Sequence, residues 1–308
     1  MDADRWWARL TRRRREGRGS GDGTGRRGDQ PAPRTAFVLA GGGSRGAVQV
    51  GMLSELVDRG IRADCVFGVS VGAVNGAAYC GDPTPAGMAH MEAVWTGLTG
   101  EVVFPRSRIQ GPWNFLQHRP SVHPNSGIRK IVEDGVGYGR LEEAEIPFEV
   151  VATSLTDGRE RWLTSGPVVE AVLASAAIPG ILPPVTIDGD VLVDGGVVDN
   201  VPIRRAIEAG ATRIYVLMCG PLRFHSRPPR RPLEAVLTAF FVAVHARFAR
   251  ELAALPAGVE VVVFSGGGEP GADYRDFSGT AELIAAGRHQ VATVLDRYLG
   301  SSQRLEAR

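Results

Sequence analysis

Two glycine-rich loops, each lying between a short apolar run and a helical pattern, constrain this sequence more than any other feature. The first run, Thr35 to Ala40, ends in Gly41-Gly42-Gly43, and the second, Cys65 to Val69, ends in Ser70. Each loop leads into a segment whose apolar residues have helical spacing. This strand–helix–strand–helix order is typical of a mainly parallel sheet covered by helices on both faces. We therefore predict a three-layer α/β/α fold.

The alternation continues along the chain. Further strands are predicted at 148–153, 185–187, 191–193, 214–218 and 259–264, and further helices at 168–177, 203–209, 233–255 and 280–299. Asp188-Gly189, between two of the short apolar runs, is typical of a hairpin turn. Residues 97–127 are rich in proline and aromatic residues and predict a long irregular loop.

Residues 1–34 differ in charge from the rest of the chain. They contain ten arginines and five acidic residues, a net charge of +5, whereas the whole chain has a net charge of +1. The arginine runs and the Gly/Ser-rich stretch predict a disordered basic arm. Residues 35–218 are predicted to form the catalytic domain, with its core at 35–210. Residues 219–308 are predicted to be a C-terminal extension of helices and a strand that completes the same domain.

The location of the protein is inferred from what the sequence contains. The longest apolar stretch, Ala235 to Ala246, is far shorter than the ~20 residues of a membrane span. The start does not resemble a signal peptide, and three cysteines without paired spacing predict free thiols. We therefore expect a cytoplasmic protein. The near-neutral net charge gives no reason to expect nucleic acid as a partner, and the oligomeric state is left open.

The basic arm has two interpretations. It is either a solvated tail or a peripheral membrane contact. The second interpretation rests on Trp6 and Trp7, which lie beside Leu10 and the run Arg12 to Arg15. Interfacial aromatic side chains next to cations can hold a protein at an anionic membrane surface.

The segment Gly68-Val69-Ser70-Val71-Gly72 has the pattern of a nucleophile elbow. The flanking glycines, Gly68 and Gly72, permit a turn tight enough to bring the Ser70 hydroxyl clear of the backbone. The helix that follows directs its N-terminus toward the attacked carbonyl group. The five-residue pattern is common by chance, but the strand before it and the helix after it are the context that an elbow requires.

The segment Gly41-Gly42-Gly43-Ser44-Arg45-Gly46 has two interpretations. It matches a dinucleotide-binding fingerprint, which requires an acidic residue near the end of the second strand. Asp64 lies at about the right distance, but before that strand. In the second interpretation the loop offers backbone N–H groups to an oxyanion. We favour the oxyanion hole, because parallel strands bring this loop and Ser70 to one edge of the sheet.

Asp194-Gly195-Gly196, after a short apolar run, predicts an aspartate that projects into a site at a strand end. The histidines after it, His225, His245 and His289, lie in a basic loop or in predicted helices, not after a strand. Asp194 is therefore the candidate base, provided that burial raises its pKa. His118 and His123 lie in a proline-rich loop without matching ligands, so we predict no metal site.

These segments, in this order, resemble the patatin-like phospholipase family. The likeness covers roughly residues 35–218 and includes 152–158, 174–180 and 199–202. It implies a Ser70–Asp194 dyad and oxyanion donors at about Gly42, Gly43 and Ser44. Arg45 lies where such proteins carry a basic residue, which either steadies the loop or meets a lipid phosphate.

The resemblance implies hydrolysis of fatty acyl esters, of the phospholipase A, lysophospholipase or esterase type. The expected substrate is a phospholipid or another acyl ester, and no cofactor is expected. Two alternatives stay open: an acyltransferase or thioesterase that uses the same site, and a regulatory protein that binds lipid without turnover.

Overall fold

The computed structural model describes residues 34–105, 121–221, 232–266 and 275–306. All of these belong to one compact unit, Pro33–Arg308. Except for Arg34, the predicted basic arm lies outside the described residues, as do His118, His225 and nearly all of the basic loop at 222–232. What was predicted for these segments stays a prediction.

The strands of the described residues form a single sheet. They are β1 Thr35–Leu39, β2 Cys65–Gly68, β3 Phe148–Ser154, β4 Glu160–Leu163, β5 Val185–Ile187, β6 Asp190–Asp194, β7 Arg213–Met218 and β8 Glu260–Ser265. Their order is β5-β6-β3-β2-β1-β7-β8, and β4 also pairs with β3. The pairs among β1, β2, β3, β7 and β8 are parallel, whereas β4, β5 and β6 pair antiparallel.

Helices flank this sheet. In the described ranges they are α1 Ala47–Asp58, α2 Val71–Gly81, α3 Pro85–Gly97, α4 Gly100–Val103, α5 Ser126–Gly135, α6 Val168–Ser175, α7 Ile203–Glu208, α8 Pro232–Ala253 and α9 Thr280–Glu306. Short 3-10 turns lie at Gly43–Gly46, Leu141–Glu143 and Gly195–Val197. The predicted α/β/α class, with a mainly parallel central sheet, is confirmed.

Helix α9 packs closely on α1, the helix that follows the first glycine-rich loop. A Cβ atom at Gly51 would lie 1.9 Å from the carbonyl oxygen of Ile284, and one at Gly287 would lie 2.1 Å from that of Val48. Each helix therefore presents a glycine where the other helix's backbone passes. The end of the chain thus covers the helix that begins at the candidate site.

Strands β2 and β6 meet end to end along β3. Gly68 of β2 pairs in parallel with Val150, and Asp194 of β6 pairs antiparallel with Ala152. Strand β4 pairs along the same part of β3, from Val150 to Thr153, and so occupies its other edge. Because β2 and β6 run toward each other on one edge, the residues that follow β2 approach the end of β6.

Some elements differ from the prediction. Helices α3 and α5 and strand β4 were not predicted, and the 97–127 loop contains α4 and the start of α5. Thr84 caps α3 by accepting a hydrogen bond from the Gly87 N–H at 3.2 Å, and Pro85 follows at the first helical position. This Thr-Pro signal is a known helix start and was available in the sequence. The 185–194 hairpin forms as predicted, with Asp188 and Gly189 at its turn.

Candidate active site

Ser70 occupies a strained turn between β2 and α2. Its φ of 55° lies in the left-handed region, which is uncommon for a residue with a side chain. A hydrogen bond from the Ser70 N–H to Ser175 Oγ, at 2.9 Å, stabilises this turn. The Ser175 hydroxyl in turn donates to the Val151 carbonyl at 2.6 Å. Strained backbone that neighbouring groups hold in this way is typical of functional sites.

The two glycines that flank Ser70 are required by close approach. A Cβ atom at Gly72 would lie 2.1 Å from the Leu39 carbonyl oxygen, and one at Gly68 would lie 2.8 Å from Ala73 Cα. Helix α2 therefore starts directly against the end of β1. This contact brings the Ser70 turn beside the loop that follows β1.

Asp194 ends β6 and is buried, with 4% of its surface exposed. Its backbone N–H donates to the Ala177 carbonyl, and its carbonyl accepts from Thr153 Oγ1 at 2.8 Å. Its Oδ1 accepts from the Gly196 N–H at 2.8 Å. The backbone of Gly195 passes so close to Val151 that a Cβ atom there would lie 2.2 Å from the Val151 oxygen. The Asp194 backbone is thus held by its N–H and its carbonyl, and the Gly196 N–H holds one carboxylate oxygen.

Burial changes the acidity of Asp194. It raises the pKa of Asp194 from 3.8 to about 6, although the Ser70 side chain and the Gly196 N–H both stabilise the carboxylate and act in the opposite direction. The Ser70 side chain therefore lies near enough to the Asp194 carboxylate to stabilise its charged form. A carboxylate with a pKa near 6 is a better proton acceptor than an ordinary aspartate and is still ionised at neutral pH.

The first glycine-rich loop lies against Ser70. A Cβ atom at Gly41 would lie 3.2 Å from Ser70 Cβ and 2.4 Å from Asn200 Oδ1. At Gly42 it would lie 2.2 Å from Cys219 Cβ. Gly43 has a φ of +61°, and no described atom lies within 4 Å of the position that its Cβ would occupy. The loop is therefore pressed against the protein at Gly41 and Gly42 and faces open space at Gly43.

The other predicted loop residues form the 3-10 turn that follows. Ser44 and Arg45 are half-buried, and a Cβ atom at Gly46 would lie 2.2 Å from Val71 Cγ2. Burial lowers the pKa of the Arg45 guanidinium. A Cβ atom at Gly220 would lie 3.1 Å from Arg45 Nη1. Arg45 therefore packs beside the residues that follow β7, and both predicted roles, support of the loop or contact with a lipid phosphate, stay predictions.

Buried hydrogen bonds hold both ends of this loop. Gln49 Nε2 donates to the Ala40 and Leu217 carbonyls at 2.8 and 2.9 Å. Asn75 Nδ2 donates to the Gly46 carbonyl at 3.0 Å and to Gln49 Oε1 at 2.9 Å. Trp95 Nε1 donates to Asn75 Oδ1 at 2.9 Å. We call Gln49, Asn75 and Trp95 the amide network; sequence analysis missed it, although two polar residues on apolar helix faces were a signal.

Asp64 argues against the dinucleotide interpretation. Its Oδ2 accepts from the Thr35 N–H at 2.6 Å. Thr35 begins β1, whereas the glycine-rich loop follows the other end of that strand. Asp64 thus lies at the N-terminal end of β1, whereas the glycine-rich loop follows the C-terminal end of that strand.

The described residues include His123, His245, His289 and the three cysteines. His245 Nε2 lies 3.1 Å from the Pro221 oxygen, and His123 Nδ1 lies 3.4 Å from the Pro105 oxygen. His289 is exposed on α9. Within the described ranges, no group of three or more His, Cys, Asp or Glu side chains is arranged to hold a metal ion. The three cysteines are buried free thiols, as predicted.

The topology and the turn at Ser70 define an α/β protein with a serine at a strand–helix elbow. The sequence narrows this class: the profile of patatin-like phospholipases matches residues 37–207. The chain belongs to this family, and the resemblance inferred from its motifs is confirmed.

Several known proteins are similar to this chain. An uncharacterised NTE family protein of Mycobacterium tuberculosis is 34% identical over 173 residues, which are 56% of this chain and 45% of that protein. A lysophospholipase of Aspergillus terreus is 30% identical over 60% of this chain and 12% of its own length. The solved structure of VipD from Legionella pneumophila aligns with 87% of this chain and 67% of its own, with 16% identity and a TM-score of 0.44. The chain thus spans less than half the length of the curated relatives that it matches.

None of the helices in the described parts of the chain combines the length and the apolar character that a bilayer span requires.

Proposed function

We propose that this chain hydrolyses fatty acyl esters of lipids, with Ser70 as the nucleophile and Asp194 as the base. The observation that carries the proposal is the placement of the strained Ser70 turn, at the end of β2, beside the end of β6, where Asp194 is buried and has a pKa raised to about 6. A nucleophilic hydroxyl requires an adjacent base, and a base is most effective when its pKa lies near the working pH.

The proposed reaction has two steps. Asp194 accepts the Ser70 proton while Ser70 Oγ attacks the ester carbonyl carbon, and the same proton then passes to the leaving alcohol oxygen. In the second step Asp194 accepts a proton from water, the hydroxide oxygen attacks the acyl-enzyme, and the fatty acid leaves as Ser70 regains its proton. The N–H groups of Gly42, Gly43 and Ser44 are proposed to stabilise both oxyanions.

Two further points support the proposal. The loop that carries the proposed oxyanion donors faces open space at Gly43, which leaves room there for a bound group. The family itself, and the similarity to a protein named as a lysophospholipase, favour a phospholipid or lysophospholipid.

The decisive test is labelling with a fluorophosphonate probe, which reacts with activated serines. We expect the wild type to be labelled and both Ser70→Ala and Asp194→Asn to lose labelling, at a temperature where all three are folded by circular dichroism. Ser165→Ala, at an exposed serine outside the site, is the matched control for removal of a hydroxyl and should be labelled as the wild type. A folded wild type that stays unlabelled would contradict the proposal and favour lipid binding without turnover.

Product analysis then separates hydrolysis from its alternatives. Lysophosphatidylcholine is incubated with the protein, with and without an excess of a short alcohol, and a thioester is offered in parallel. Hydrolysis predicts free fatty acid as the main product in both incubations. A dominant acyl-alcohol product would identify a transferase, and a strong preference for the thioester a thioesterase.

The raised pKa of Asp194 predicts the pH dependence of the reaction. The base must be ionised to accept the proton, so kcat/KM should be constant well above pH 6. It should fall tenfold per pH unit below the pKa, which is about 6. Initial rates with a neutral ester from pH 4.5 to 8.5 measure this limb. A limb centred near pH 4 would mean that the base is an ordinary, solvated carboxylate.

A further inference from the structure

One loop joins the proposed base to the proposed oxyanion loop. It comprises residues 195–200 and is called the 195–200 loop. At its start the Gly196 N–H donates to Asp194. At its end Asn200 Nδ2 lies 3.5 Å from the Gly41 carbonyl oxygen, and Asn200 Oδ1 fills the space beside Gly41. A displacement of this loop therefore moves both the base and the glycine-rich loop.

Arg247 of helix α8 contacts the middle of this loop. Its Nη1 donates to the Val198 carbonyl. Its Nη2 donates to Glu160 Oε1 at 2.8 Å and lies 3.3 Å from Asp199 Oδ2. Its Nε donates to Glu251 Oε1 at 2.9 Å. One guanidinium thus connects the loop to β4 and α8, and its fork of donors is suited to several acceptors at once.

The acidic residues around Arg247 make this cation necessary. Asp199 is 2% exposed, and its Oδ2 and Glu251 Oε2 have no hydrogen-bond partner in the described structure. Burial raises the pKa of Asp199 to about 7; Arg247 lowers it, whereas Glu251 and Glu160 raise it further. Without Arg247, the three carboxylates would face one another with too little compensating charge.

Arg204 completes the group, because its Nη2 lies 3.0 Å from Glu160 Oε2. We call Glu160, Asp199, Arg204, Arg247 and Glu251 the charged cluster. The Arg204 side chain is 56% exposed. Its Nη2 donates to both Glu160 oxygens and its Nη1 donates to Glu208, so these contacts do not reach the 195–200 loop as those of Arg247 do.

We propose that Arg247 is a positioning residue, which holds the 195–200 loop at Val198 and Asp199 and thereby orients Asp194 and Gly41. The proposal rests on the proposed function for its catalytic consequence, but not for the loop contact itself. Helix α8 lies after residue 207, where the family match ends. The C-terminal part of this chain thus supplies a group on which the site depends.

The loop contact is tested by amide hydrogen exchange, which needs no activity. In Arg247→Met we expect exchange in the 195–200 loop, where the Gly196, Val198 and Asp199 amides are hydrogen-bonded, to rise at least tenfold. Exchange in β1 should be unchanged. Arg250→Met, an exposed arginine of the same helix, is the matched control and should behave as the wild type. Unchanged exchange in the loop, or an equal rise in β1, would overturn the proposal.

The catalytic consequence is tested by kinetics with p-nitrophenyl butyrate, with active sites counted by the fluorophosphonate probe. We expect kcat per labelled site to fall ten- to a hundredfold in Arg247→Met while KM stays within threefold. Arg247→Lys keeps the charge but not the fork of donors, so its kcat per labelled site should lie between those of the wild type and Arg247→Met. If Arg247→Met does not fold, hydrogen exchange and kinetics are both measured on Arg247→Lys instead.

The outcomes separate the two proposals. Wild-type kcat per labelled site in a folded Arg247→Met, or in Arg247→Lys where that variant replaces it, would overturn the positioning role. If the wild type itself neither labels nor turns over, the proposed function fails, and hydrogen exchange alone decides whether Arg247 holds the loop.

Discussion

The two sides of the candidate site are held by different chemistry. On the nucleophile side the amide network, Gln49, Asn75 and Trp95, holds the glycine-rich loop through neutral hydrogen bonds in a fully buried region. On the base side the charged cluster holds the 195–200 loop through ion pairs, and Arg204 and Arg247 are partly exposed. Both networks hold backbone carbonyl groups, so their task is the same.

The difference follows from what each side contains. The proposed oxyanion loop needs only fixed backbone, and neutral amides can be buried with all their hydrogen bonds made at little cost. The proposed base, Asp194, is a buried acid, and burial is what raises its pKa. The 195–200 loop that follows it carries the buried Asp199, whose charge Arg247 compensates. We expect the nucleophile side to be insensitive to pH and salt, whereas on the base side Asp194 should respond to pH and the exposed Arg204 pair to salt.

Placing a charge on the neutral side should have the largest effect on stability. Gln49→Glu replaces a donor to the Ala40 and Leu217 carbonyls by a buried carboxylate that repels both. We expect the free energy of unfolding to fall by about 3–5 kcal/mol at pH 8. Protonation restores one donor, so the loss should shrink toward pH 5. Urea unfolding followed by circular dichroism measures both values.

Gln290→Glu on α9, where the side chain is partly exposed, is the control for Gln49→Glu. It should change the free energy of unfolding by less than about 0.5 kcal/mol. Equal losses in the two variants would mean that the amide network does not exclude charge, and the comparison between the two sides would fail.

Removing the charge of Asp194, the proposed base, should have the opposite effect on stability. Because folding raises the pKa of Asp194 from 3.8 to about 6, the folded protein binds a proton between these values and the unfolded chain does not. Stability from this group is thus complete below about pH 4 and is lost as the pH rises through about 6. Asp194→Asn should therefore raise the free energy of unfolding by about 3 kcal/mol at pH 8 and by almost nothing at pH 4.

The same scans on Asp134→Asn, an exposed aspartate of α5, provide the control for Asp194→Asn. This variant should lie within about 0.5 kcal/mol of the wild type at both pH values, since exposed ion pairs contribute little. A stabilisation by Asp194→Asn that persists unchanged at pH 4 would have to come from packing, not from the removed charge.

The sequence predicts one kind of site feature well. Ser70, Asp194 and the glycine-rich loop lie at strand ends with glycines at fixed spacing, and such signals are local. Arg247 lies in a mainly apolar helix far along the chain, and nothing near it identifies Val198 or Asp199 as a partner. Sequence therefore located the candidate reacting groups, whereas the side chains that hold them depend on which elements meet in the fold.

The same reasoning applies to the fold. The parallel strands were predicted because they are short apolar runs, and in the structure they are buried except for a few half-buried residues. Strand β4 was missed because Glu160-Arg161-Trp162 is polar and its burial is only partial. Strand β4 nevertheless contributes to the base side. It pairs with β3 on the edge opposite β2 and β6, and it carries Glu160, which pairs with Arg247. Polar edge strands of this kind show no alternating pattern from which sequence can predict them.

Substitution of Arg204, at the exposed end of the charged cluster, should have the smallest effect on stability. It should also differ most clearly from substitution of Arg247. The Arg204 side chain is 56% exposed, so its pair with Glu160 is solvated and screened. We expect Arg204→Met to lower the free energy of unfolding by about 0.5 kcal/mol in 50 mM salt and by almost nothing in 500 mM salt. In Arg247→Met the free energy of unfolding should fall several times more than in Arg204→Met. The fall should be similar at both salt concentrations, because Asp199 stays buried. If the two variants respond alike to salt, the cluster is a surface network throughout, and burial does not distinguish its inner arginine.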